Sequence, residues 1–189
     1  MNRNFFRIAG IAVFCASSVL AQSPVAGTAT DPVLGTWTLN LGKSKFSPGQ
    51  APERGTVSIR RYTLRPDGFM VTVFVTVSPQ AEPTFLQVTW KYDNADYRMY
   101  APTSLADFSV MGVSPGTMAY KATDAYTTEL TPKDNRGKVT FNGVRRRAVS
   151  RDGGTLIDTS RGTNAQGQKV ENVLVFDRCK GPCFQLSGY

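Results

Sequence analysis

From Val33 onward, short runs rich in β-branched and aromatic residues alternate with turn signals about every ten to fifteen residues. No stretch sustains the period of an amphipathic helix. The runs are Leu34–Leu41, Thr56–Leu64, Phe69–Val77, Thr84–Tyr92, Tyr97–Tyr100, Thr117–Ala122, Ala125–Thr131, Lys138–Ser150, Thr155–Arg161 and Gln168–Arg178. Arg65-Pro-Asp-Gly68 divides two of them: Pro66 presets the turn and Gly68 accepts positive φ, so a hairpin is predicted there. Asp134-Asn-Arg-Gly137, Arg151-Asp-Gly-Gly154 and Asn164-Ala-Gln-Gly167 mark further turns. Lys43–Pro52 reads as a loop, and Pro102–Gly116 carries no clear pattern.

Roughly eight to ten antiparallel strands joined to their sequence neighbours form an up-and-down meander, and closure removes its exposed edges. The expected fold is therefore an all-β, antiparallel up-and-down barrel over residues 32–178. Phe69, Val71, Val73, Val75 and Val77 form one apolar face opposite a mixed face of Met70, Thr72, Phe74 and Thr76. Leu86, Val88, Trp90 and Tyr92 stand opposite Phe85, Gln87, Thr89 and Lys91. One buried and one amphipathic face is the pattern of a small barrel wall.

The N-terminal residues carry a different message. Arg3 and Arg7, an apolar stretch of about ten residues from Ile8, and small residues ending at Ala21 have the three-part layout of a cleavable secretory signal. The stretch is half the roughly twenty residues a spanning helix needs. The expectation is a signal peptide over residues 1–21, a flexible leader over 22–31, export to the periplasm or beyond, and no transmembrane segment after cleavage. Phe14 before Cys15 does not fit a lipidation site. Removal of residues 1–21 leaves Cys179 and Cys183, flanking Lys-Gly-Pro, and in an oxidising compartment so close a pair is expected to form a disulfide clipping the tail 179–189.

The chain has no histidine, which excludes a Ser-His-Asp triad, a Cys-His pair and histidine-based metal sites. Two thiolates alone do not fill a zinc tetrahedron, and three residues between the cysteines do not fit a redox motif. Gly153-Gly154 is explained by its hairpin, and Asp93-Asn-Ala-Asp96 lacks the glycine and distal glutamate of a calcium loop. Asp93 with Asp96, or Asp124 with Glu129, would have to meet in a barrel mouth to do acid–base work, and a solvated role is expected instead. No cofactor and no metal is implied. The net charge of +8, two of it on Arg3 and Arg7, is too dispersed for nucleic acid and suits anionic surfaces or ligands. The one dense cluster, Arg145-Arg-Arg147, lies in a predicted strand, divides between two faces and is expected to be solvated.

Asp31-Pro-Val-Leu-Gly-Thr-Trp37 places Gly35-Thr36-Trp37 at the first strand, and this resembles the opening signature of lipocalins. Lys43-Ser-Lys-Phe46 and the closing run Gly162–Arg178 resemble a family of secreted bacterial lipocalin-like, calycin-type domains; a middle lipocalin motif is absent. The resemblance implies a barrel end plugged by Trp37 under Arg178, both structural. A barrel of this kind would bind a small apolar or amphipathic molecule or an envelope partner, and the absence of histidine and of any tight polar cluster favours a non-catalytic protein. Trp90, Tyr92 and Phe74 are the expected ligand-binding residues, with core packing as their competing role. The alternatives are a barrel-mouth isomerase or hydrolase, or a structural envelope protein with a filled barrel.

Overall fold

The computed structural model describes residues 25–104, 107–181 and Cys183, and within them every helix-or-strand element is a strand. The predicted signal peptide and its cleavage site lie outside the described residues. Ten strands follow in order: β1 (Gly35–Leu39), β2 (Val57–Leu64), β3 (Met70–Ser78), β4 (Ala81–Trp90), β5 (Asp93–Ser104), β6 (Asp107–Ala122), β7 (Thr127–Lys133), β8 (Phe141–Val149), β9 (Thr155–Asn164) and β10 (Lys169–Arg178). Each pairs antiparallel with its sequence neighbour, and β10 returns to β1 to close an up-and-down barrel. Among the described residues, no helix is long and apolar enough to cross a membrane.

The hairpin turns follow their local chemistry. Gly68 donates to the Arg65 carbonyl at 3.0 Å with φ of 79°, and Arg65 donates to the Phe69 carbonyl at 2.8 Å. The same closure recurs at Asp134–Gly137, Ser150–Gly153 and Asn164–Gly167. Pro102–Gly116, patternless in sequence, is the far half of the β5–β6 hairpin. Its ladder slips at Asp93/Asp96, Arg98/Tyr100 and Pro102/Ser104, and each slip breaks the two-residue alternation by which a strand is read.

The closing seam is short. Trp37, Thr38 and Leu39 pair with Arg178, Asp177 and Phe176. Beyond them, part of the expected Lys43–Pro52 loop runs on along β10: Lys45 and Val173 exchange backbone hydrogen bonds of 2.7 and 2.8 Å. Ser44 Oγ accepts from Val175 N at 2.9 Å and Ser47 Oγ from Glu171 N at 2.7 Å, so hydroxyls replace missing ladder carbonyls. Cys179 N donates to the Thr36 carbonyl at 2.9 Å, and Cys179 is disulfide-bonded to Cys183.

One face assignment is corrected. Cross-strand register aligns Tyr62, Thr72 and Val88 on one face, and all three are buried. The mixed face of β3, with Met70, Thr72 and Phe74, thus points inward, and Val71, Val73, Val75 and Val77 line the half-buried outer wall. The hydroxyl of Thr72 is tolerated in the core because it accepts from Trp90 Nε1 at 2.8 Å.

At one barrel end Trp37 and Arg178 pack on each other. The Arg178 guanidinium sits 4.1 Å from the Trp37 ring and donates to the carbonyls of Leu34 and Pro32, each at 2.6 Å, and of Gly153. Trp37 is wholly buried and donates from Nε1 to the Val33 carbonyl at 2.8 Å. Residues 25–31, expected as leader, turn over the same end: the buried Asp31 carboxylate accepts from Gly27 N, Val33 N and Tyr92 Oη at 2.7–2.9 Å. Arg178→Ala removes the indole stack and three donors together, and is expected to cost about 3 kcal/mol in urea unfolding, with Arg178→Lys intermediate. A loss below about 1 kcal/mol would show that the plug contributes nothing to stability.

Candidate functional site

Above the plug the interior is packed, and the packing is polar at its centre. Trp90 is fully buried, stacked on Tyr120 with ring centroids 4.0 Å apart, and edge-on to Tyr92 at 4.8 Å. Arg147 fills the box these rings make with Tyr62. Its guanidinium lies 4.8 Å from the Tyr62 ring, 5.1 Å from Trp90 and 5.9 Å from Tyr120, and Nη2 donates to Thr128 Oγ1 at 3.4 Å. Arg147 is 3% exposed, so cation–π contacts replace most of its lost hydration. Burial pushes the phenols of Tyr120 and Tyr92 well above the usual value, so both stay neutral.

One layer toward the other end, Arg60 pairs with Asp158 across the interior, and its guanidinium lies over Phe176 at 4.0 Å and Phe74 at 5.5 Å. Burial opposes the charge of Arg60 most strongly, but Asp158 and Tyr62 together outweigh it and raise the pKa. Arg145 projects inward beside them. Its guanidinium lies 5.7 Å from the centre of the Phe141 ring and forms no ion pair among the described residues. Burial depresses its pKa, with Asp158 opposing that effect and Arg60 adding to it. Three guanidiniums therefore converge on one carboxylate. Asp158 Oδ1 is buried here without a hydrogen-bond partner, and the Tyr62 hydroxyl, faced by the Arg60 and Arg147 guanidiniums, has no acceptor for its proton.

These groups border a recess of about 80 Å³, with Phe74, Met99, Met118 and Leu130 on its apolar side and Arg60 and Arg145 on the other. It adjoins a break in the wall. The β7–β8 ladder runs from Thr127↔Ala148 to Glu129↔Arg146, then stops until the isolated Lys133↔Val139 bridge. Leu130 and Arg145 stand where it stops. No known protein-family model and no curated protein matches this chain.

Of the three residues expected at a ligand, Phe74 borders the recess, while Trp90 and Tyr92 lie in the packed layer beneath it. The expectation of a solvated Arg145–Arg147 cluster is corrected: only Arg146 faces outward, pairing with Glu129 at 3.1 Å. The missed signal is parity, because Arg145 and Arg147 share a strand face with the buried Phe141 and Val149. Arg60 and Asp158 also went unread; they sit in β2 and β9 and meet only through closure of the barrel.

The carboxylate pairs considered for acid–base work occupy ordinary places. Asp93 accepts from Ala95 N at 3.0 Å and Tyr97 Oη at 2.7 Å, and Asp96 pairs with Lys133 at 2.7 Å. Asp124 accepts from Tyr126 N at 2.7 Å. Among the described residues no group of three metal-binding side chains occurs.

Proposed function

We propose that this chain is an exported, lipocalin-like barrel that binds one small amphipathic molecule without transforming it. The observation that carries the reading is the recess itself: guanidiniums on one side, Phe74, Met99, Met118 and Leu130 on the other, beside an unladdered stretch of wall. Its roughly 80 Å³ has room for about half a dozen water-sized groups, so a polar head sits inside and the remainder lies at the opening. The Trp37–Arg178 plug supports the lipocalin-like reading, and the Cys179–Cys183 disulfide supports an oxidising compartment.

Native mass spectrometry of the protein purified from its producing cells tests this. The expected spectrum shows the chain plus one small-molecule increment that denaturation releases and that Phe74→Ala diminishes. A bare chain mass under conditions that preserve a control lipid-binding barrel overturns the reading in favour of a filled, structural barrel, which the packed layer around Arg147 favours.

A further inference from the structure

Resting on that reading, we infer that the recess is built for an oxyanion head, a carboxylate or phosphate, held by Arg145 and by the Tyr62 hydroxyl. The charge balance is the first ground. Arg60, Arg145 and Arg147 share the single carboxylate of Asp158, which pairs directly with Arg60; Arg147 has its aromatic box and Thr128, whereas Arg145 borders the recess with no ion pair of its own among the described residues. A half-buried guanidinium without an anion pays desolvation that an oxyanion would return in charge-assisted hydrogen bonds.

The second ground is independent. Tyr62 is 1% exposed and lines the recess; the Arg60 and Arg147 guanidiniums face its hydroxyl oxygen and can only donate to it, so the hydroxyl proton has no acceptor. Buried hydroxyls almost always find one, so an acceptor belongs there. Asp158 faces the same space and its Oδ1 is also unpartnered, which would repel a second full negative charge. An anion of single charge fits best, or one whose remaining proton is donated to Oδ1. The apolar wall of Met99, Met118 and Leu130 then continues along the ligand's tail.

Calorimetric titration of the purified full chain with octanoate, octyl phosphate, octanol and octyltrimethylammonium, and with inorganic phosphate, tests the inference. Octanoate or octyl phosphate is expected to bind at least tenfold more tightly than octanol, and the cation not at all. Which anion wins distinguishes a carboxylate from a phosphate source. Arg145→Met should weaken the anion about tenfold and leave octanol unchanged; Tyr62→Phe should weaken it by a smaller factor without altering the fold seen by circular dichroism. Octanol binding as tightly as octanoate would leave the amphipath-binding reading standing and sink the oxyanion head. Inorganic phosphate binding as tightly as its octyl ester would uphold the anion site and sink the amphipath. Binding by none of the probes would overturn both.

Discussion

Asp158→Ala is expected to destabilise the barrel by about 3–5 kcal/mol, a large share of the stability of an ordinary domain. The side chains of Asp158 and Arg60 are 19% and 14% exposed, and the carboxylate is the one negative charge among Arg60, Arg145 and Arg147. Removing it leaves like charges facing one another in a space with little water. The loss comes from abandoning a buried partner, not from forfeiting a favourable contact, so replacing both members should behave differently. Arg60→Met combined with Asp158→Leu is expected to recover most of the deficit, because an apolar pair of similar volume spares both desolvation costs. Urea unfolding followed by fluorescence of Trp37 and Trp90 measures all three variants. A single-variant loss under 1 kcal/mol would mean that the interior charges are solvated.

The second large effect is steric. Gly143 and Gly162 face each other across β8 and β9, with φ of 148° and 158°. A Cβ on Gly162 would lie 2.1 Å from the Asn142 carbonyl oxygen and 2.7 Å from the Gly143 Cα; one on Gly143 would lie 2.2 Å from the Arg161 oxygen. The obstructing atoms are backbone in a paired ladder, so relief requires opening β8–β9. Gly162→Ala is expected to cost roughly 4 kcal/mol or to prevent folding. Gly167→Ala is the control: its φ is 76° but a Cβ there meets nothing within 4 Å, so only the backbone cost of about 1 kcal/mol is expected. Equal losses in the two variants would rule out the close approach as the cause.

Fold class was legible because hairpin turns are local. Pro66 and Gly68 announce a turn whatever surrounds them, and a series of such turns leaves a meander with little choice but closure. Trp37 and Arg178 meet only because the first and last strands pair. Sidedness was less legible. On β3, four valines marked a face as apolar, yet the inward face is the one whose Thr72 serves Trp90. The inner charges were the hardest to read. Arg145 and Arg147 look like a solvated run until their parity with Val149 is weighed, and Asp158 lies nearly one hundred residues from Arg60 in sequence. No local pattern announces a carboxylate whose partner is supplied by tertiary closure.

The short seam between β1 and β10 sets an order of events. Every other ladder joins neighbours in sequence, so hairpins from β2 to β10 can form as local events with modest loop-closure cost. The seam alone joins Trp37 to Arg178, across nearly the whole barrel. Until β10 is available, β1 has one open edge and Trp37 has no guanidinium above it. Completion of the barrel therefore waits on long-range encounters with β10, and a chain interrupted before residue 169 lacks the strand that closes it.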